Sequence, residues 1–414
     1  MIGTGVFTSL GYQLVDIQSI FPLLMLWVVG GIVALCGALT YSELGSALPR
    51  SGGEYHLLHR ILHPSVGFAA GIVSATVGFT APSVLAAMAL GSYLKSVFPF
   101  FDQTIIASLV IVFFHVLHMR SIRWGTIFQS GSTAIKVGLL FTFIVFGFLT
   151  TNTQSISILP KSGDGIILLS SSFAVSLVWV SYAYTGWNSV IYIAGEIKDP
   201  KDNISKTMVI ATSLVMFIYV LLNYIFLNTA SVEDMSGQVD IGYISGIAIF
   251  GSAGAKIIGL GISILLLSTV SSYVYIGPRI MQIMGEDHKF ISFLNVTNKN
   301  NIPINAFFLQ LAISFFFIIT SSFEQVLMYA GITLIIITTL TVISLFILRY
   351  KEPYLDRPYK VWGYPFTPLI YLIVNVWILF YSFQHSQFES SIGIGIIIIS
   401  IAIHFIFDRK YTSV

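Results

Sequence analysis

Apolar residues run unbroken along most of the chain, at 22–48, 67–98, 104–117, 127–149, 166–193, 208–227, 255–284, 304–320, 325–348, 365–383 and 391–407. A membrane-crossing helix needs about 20 consecutive apolar residues, whereas a membrane strand needs about ten that alternate. These runs are long and do not alternate, so they predict eleven helical spans. Ahead of them stands only MIGTGVFTSLGYQL, too short to cross a bilayer and apolar enough to enter one. It reads as the second half of span one, and the first half of that helix is expected to be missing. The intact chain would then have twelve spans.

Composition agrees with the pattern. Of the 414 residues, 56% are hydrophobic and 9% charged, and the mean hydropathy is +0.87; soluble domains carry about 25% charged residues. The chain reads as an all-α integral membrane protein with no room for a sizeable soluble domain. The opening carries no basic segment or cleavage site of a signal peptide. A net charge of +2 gives no case for nucleic acid, and the single cysteine, Cys36, excludes a disulfide framework or a cysteine zinc site.

The charges that remain are unevenly placed. Alternate loops divide the 20 Lys and Arg residues sharply: one set holds all of them except Lys95, Lys161 and Lys256, and except Lys136 inside a span. Basic residues near span ends are retained in the cytoplasm, so the rich loops and the carboxyl terminus are expected there, with Asp16 outside.

Two spans carry glycine and polar residues where hydrocarbon is expected: IGTGVF at 2–7 and VSYAYTGWNS at 180–189, midway along span six. Unwound backbone at membrane depth survives only where it is buried in protein or lines a cavity. Gly3, Gly5 and Gly186 supply the permissive backbone. Breaks at corresponding positions of two inverted repeats point to a transporter's midplane site. A half-helix starting after Gly3 and Gly5 offers free N–H groups to a carboxylate. Carbonyls freed before Thr185 and Gly186 can accept from an ammonium group. Together they describe a clamp for a free amino acid. The competing reading is that glycines only permit close packing, as is expected for Gly67 and Gly71, with Ala75, in span three.

These segments resemble the amino acid–polyamine–organocation superfamily, and within it the L-type amino acid transporter-like permeases, including serine/threonine exchangers. The matching stretches are IGTGVF, GALTYSELGSALPRSGGEY (37–55), YAYTGWN (182–188) with GEIKDPKDNI (195–204), GPRIM (277–281) and RPYKVWGYP (357–365). The resemblance implies a LeuT-like fold of five-plus-five inverted repeats and two extra spans. As one transporter domain over 1–414, repeat one would cover about 1–150, repeat two about 165–350, and spans eleven and twelve about 365–407. It also implies sodium-independent transport, often by exchange. Ile2, Gly3, Thr4 and Gly5 would hold the substrate carboxylate, the carbonyls of Met1, Tyr182 and Ala183 would receive the amine, and Tyr182 would be the aromatic gate. Thr185 stands where several relatives carry glycine, which implies a smaller pocket, and KDNISK replaces the usual arginine-proline continuation after span six.

Lys136 lies about nine residues into span five, where a charge is costly and usually functional. The bland alternative is a lysine that snorkels to the interface. The resemblance places it against the broken part of span one, in place of a sodium ion or as a proton carrier. Glu43 is expected to pair with a nearby base. His56, His59 and His63 share a helical spacing in HLLHRILH, but no carboxylate or cysteine completes a metal set, so they read as a solvated stripe, and His115 and His118 likewise. The sequons at Asn203 and Asn295 fall on the basic side and read as chance matches.

The expected function is secondary active transport of small neutral amino acids across the plasma membrane, by sodium-independent exchange or proton-coupled uptake. A transporter of cationic amino acids or polyamines is the first alternative; the interrupted segments offer it no Asp or Glu. A non-transporting sensor would need a signalling domain, and an enzyme would need a catalytic constellation; no HExxH or GxSxG occurs. No cofactor or metal is expected, the bilayer and the amino acid are the expected partners, and nothing in the sequence specifies an accessory subunit.

Overall fold

The computed structural model of the protein describes residues 2–120, 122–197 and 199–411. Each apolar run folds as a helix, because at membrane depth only intra-helix bonding satisfies every backbone group. The helices are α1 (Thr4–Asp16), α2 (Ile20–Ala47), α3 (Gly53–Ile61), α4 (Pro64–Val73), α5 (Ala81–Val97), α6 (Gln103–Arg120), α7 (Ile122–Leu149), α8 (Asp164–Leu168) and α9 (Ser171–Tyr184). They continue with α10 (Pro200–Thr229), α11 (Val232–Met235), α12 (Ile241–Asp287), α13 (Ile304–Thr320), α14 (Phe323–Lys351), α15 (Phe366–His385) and α16 (Gln387–Tyr411). Among the described residues, eight helical segments are long and apolar enough to cross a membrane, and α13 and the described part of α7 are shorter apolar helices. The chain is a multi-pass, all-α membrane protein.

The exterior is apolar, with Phe113, Phe141, Ile319, Ile373 and Ile398 facing outward, as a lipid-facing surface requires. The polar residues are inside instead: Gln13, Asn223 and Gln310 are fully buried. α2 packs along α10, α9 and α15, and α12 along α5, α6 and α7. Behind α9 an aromatic cluster joins three helices: Trp27 meets Tyr219 edge-on at 5.6 Å, and Tyr219 lies 5.1 Å from Tyr184. The Tyr184 hydroxyl donates to the Trp27 carbonyl at 2.9 Å.

Two departures from the sequence reading matter. Span three is not a continuous α-helix: residues Ser74–Thr80, between α4 and α5, form a π-helical segment. The Thr80 hydroxyl donates to the carbonyl five residues back, on Ala75, at 2.7 Å, and Pro82 follows without an N–H to give. Span eight begins earlier than expected, because α12 extends out to Ile241 through a kink at Gly251, whose φ of 70° suits glycine. The close packing expected in span three is present: a Cβ on Gly67 would meet His59 at 2.5 Å, and one on Gly71 would meet Met284 at 2.6 Å.

Basic and acidic side chains knit the basic face together. Glu43, buried at the end of α2, accepts from Arg349 at 2.9 and 2.6 Å and from the Val361 N–H at 2.7 Å, and pairs with Arg357 at 3.3 Å. This is the pairing expected for Glu43. The histidines correct the expected stripe. α3 ends at Ile61, and His63 instead caps α4, its ring accepting from the Ser65 N–H at 3.2 Å. His115 and His118 are buried rather than solvated, held by the Ile111 carbonyl and the Ser271 hydroxyl at 2.8 and 3.0 Å.

Candidate functional site

α1 starts abruptly inside the protein. Gly3 precedes it in extended conformation, and no side chain caps the helix. The first-turn N–H groups therefore lack helical acceptors and carry the positive end of the helix dipole. Thr4 is buried, and its Oγ1 has no hydrogen-bond partner. Met1 lies outside the described residues, so its expected carbonyl contact has no structural counterpart here.

α9 stops at Tyr184, just opposite. Thr185 turns the chain out of the helix with ψ 149°, and Gly186 follows at φ 94°, a backbone conformation that favours glycine. A 3₁₀ segment, Ser189–Glu196, then continues toward the basic face. The first turn of α1 touches the end of α9: a Cβ on Gly5 would stand 2.4 Å from the Cα of Ala183. Gly5 is thus fixed by helix crossing whatever its N–H binds.

The carbonyls freed at the end of α9 are partly engaged. That of Tyr182 accepts from the Thr185 N–H at 2.9 Å and from the Thr185 hydroxyl at 2.6 Å. That of Ala183 accepts from the Tyr219 hydroxyl at 3.2 Å. Each carbonyl has two lone pairs, so the Ala183 oxygen keeps one for a further donor. Tyr182 is buried, and with Thr185, Gly30, Leu334, Thr338 and Asn375 it lines a cavity of about 40 Å³ between α2, α9, α14 and α15.

Lys136, on α7, reaches inward rather than to the interface. Its Nζ lies 3.4 Å from the Ile2 carbonyl and 3.5 Å from the Thr269 hydroxyl of α12. The ammonium thereby bridges the residue before the start of α1 to α12. Sequence reasoning missed three residues of this region. Thr269 is one, Tyr219 is another, and Tyr273 of α12, which stands beside Thr185, is the third. The polar run Ser268, Thr269, Ser271, Ser272 in an otherwise apolar span marked that face of α12 as interior. Among the described residues no group of His, Cys, Asp and Glu could hold a metal ion.

Membrane-length helices around the buried start of α1 and the facing interruption of α9 define an α-helical membrane transporter. The chain belongs to the amino acid permease family, whose model matches residues 1–405. The large neutral amino acids transporter small subunit 2 of Mus musculus is 25% identical over 416 residues, covering 98% of this chain and 78% of the relative. The asc-type amino acid transporter 1 of Mus musculus is 25% identical over 431 residues, with the same coverage of 98% and 78%. The serine/threonine exchanger SteT of Bacillus subtilis (strain 168) is 25% identical over 391 residues, covering 92% of this chain and 87% of the exchanger. The family match and the all-helical architecture agree with the LeuT-like fold expected from the motifs.

Proposed function

We propose that the protein is a secondary active transporter of small neutral amino acids at the plasma membrane, working by alternating access and sodium-independent exchange. The single observation that carries the site is the uncapped start of α1, with its buried, unpartnered Thr4 hydroxyl, set against the interruption of α9. Ile2, Gly3, Thr4 and Gly5 present N–H groups to the substrate carboxylate. The amine is received at the end of α9, by the Ala183 carbonyl above all, with Tyr182 as the covering aromatic and Thr185 and Gly186 shaping the side-chain pocket. Lys136 supplies the positive charge that steadies the unwound segment. The basic face and the carboxyl terminus are cytoplasmic. The two interrupted helices occupy matching places in repeats of about 1–150 and 165–350.

The names of the relatives support neutral amino acids as the class: one carries large neutral amino acids, one is an asc-type carrier and one exchanges serine and threonine; the preference for small ones rests on Thr185. A cationic substrate is disfavoured because neither interrupted segment contains a carboxylate. Uptake of a labelled amino acid panel into proteoliposomes tests the reading. Serine, threonine and alanine are expected to enter, faster when the lumen already holds one of them. Preference for arginine or putrescine, or for phenylalanine, would overturn it.

A further inference from the structure

The short helix α3 lies across the basic face as a strap. Tyr55 donates to Asp287 at the end of α12 at 2.7 Å, and Arg60 pairs with Glu352 at 2.8 Å. Lys351 of α14 donates to the Ile61 carbonyl at 3.2 Å, and the Gly52 N–H to the Tyr192 carbonyl at 3.4 Å. Tyr192, in the 3₁₀ segment after the α9 interruption, packs so tightly that a Cβ on Gly53 would stand 2.4 Å from its ring. Its hydroxyl also meets that of Ser74, in the π-helical segment, at 2.9 Å.

Glu54 differs in kind from these surface ties. It is 2% exposed, and its Oε1 accepts from the amide of Asn188, two residues past Gly186. Its Oε2 is buried without a hydrogen bond. The polar groups facing the carboxyl are the hydroxyls of Tyr192 and of Tyr41 on α2, with Tyr371 of α15 farther off. α4 brings no titratable side chain, and α14 spends Lys351 and its neighbour Glu352 on the far end of α3. Among the described residues no cation pairs with Glu54. Burial makes the carboxylate costly as an anion, and the donors around it, the Asn188 amide and the Tyr192 and Tyr41 hydroxyls, offset that cost only in part.

We propose that Glu54 is a proton-binding latch of the basic-face gate: neutral, it holds the 3₁₀ half of the interrupted helix shut, and ionised, it lets that half move. The inference rests on the transport reading, in which this half-helix must shift for substrate to leave on the basic side. On opening, the Oε2 proton passes to water and the carboxylate is hydrated; on closing, a proton returns from the same side. Burial raises the pKa of Glu54 above its ordinary value of 4.5. The latch is therefore at full strength below that ordinary value and is lost as pH rises through the raised one. His56, on the same helix, is pushed down to about 4 by burial and by Arg50, so it stays neutral through that window.

The test is counterflow of labelled L-threonine by the full chain in proteoliposomes with equal pH on both sides, combined with infrared titration of protonated carboxyl groups. The wild type should speed up several-fold from acid to neutral pH. Glu54→Gln keeps an acceptor for Asn188 but cannot ionise, so it should be flat across pH at the slow, acid-side rate and should lose one titrating carboxyl band. Glu54→Asp should restore the pH dependence with a displaced midpoint, which keeps the test decisive should the Gln variant fail to assemble. A wild-type pH profile in Glu54→Gln, or no lost band, overturns the latch. Absence of counterflow in the wild type with any neutral amino acid would refute the transport reading instead, and the infrared titration would still decide whether Glu54 takes up the proton.

Discussion

Thr185 is the residue through which the site can be resized. It lines the small cavity between α2, α9, α14 and α15 and its hydroxyl is fastened to the Tyr182 carbonyl, so Thr185→Gly removes that bond, leaving only the backbone one, and joins the site to the cavity. Uptake of leucine relative to threonine is expected to rise about tenfold, the usual worth of a methylene or two in a pocket; competition assays read it directly. Gly5 is less forgiving. Gly5→Val would drive a side chain into the Ala183 backbone, and overpacking costs about 1–3 kcal/mol even where neighbours can yield. The variant should lose threonine uptake while still inserting in the membrane. Lys136→Ala should lower turnover about tenfold, roughly 1.4 kcal/mol in the barrier, without a matching loss of expression. Turnover at the wild-type rate would remove Lys136 from the machinery.

Among the elements, those set by composition were legible and those set by hydrogen-bond register were not. Long apolar runs leave the backbone no option but helix, and Gly186 beside polar residues inside such a run exposed the interruption of α9. The π-helical segment of span three left no such trace, because a shift from i+4 to i+5 bonding changes no residue type; only Pro82 hints at it. Tyr219 and Tyr273 read in sequence as ordinary interior tyrosines, since their role depends on which helices face the α9 interruption. Glu54 was hidden in a motif whose neighbouring histidines drew the chemistry, although it is the buried acid of that helix. The Glu43 cluster makes an element-scale prediction. Removing the carboxylate charge in Glu43→Gln leaves Arg349 and the buried Arg357 without their counter-charge, at a cost of about 3–5 kcal/mol. A clear drop in Tm in detergent, with the ends of α2 and α14 exchanging amide protons faster, is the expected outcome.

For the molecule as a whole, orientation is the property most open to direct test. Asn152 and Lys299 are both exposed, and with Cys36 replaced, cysteines at these positions are expected on opposite faces. An impermeant thiol reagent applied to intact cells should label the first and spare the second. Lys136 also bears on how such a molecule is driven. A mobile ion holding the unwound end of α1 would be bound on one face and shed on the other, and its gradient would power accumulation. An ammonium tethered to α7 never leaves. In the exchange mode, therefore, each turn is driven only by the substrates' own concentration differences, and at rest the ratio of any two amino acids becomes equal on both sides. On that reading the protein would level the composition of two pools without concentrating either, and a proton on Glu54 would set how fast it does so, not which way.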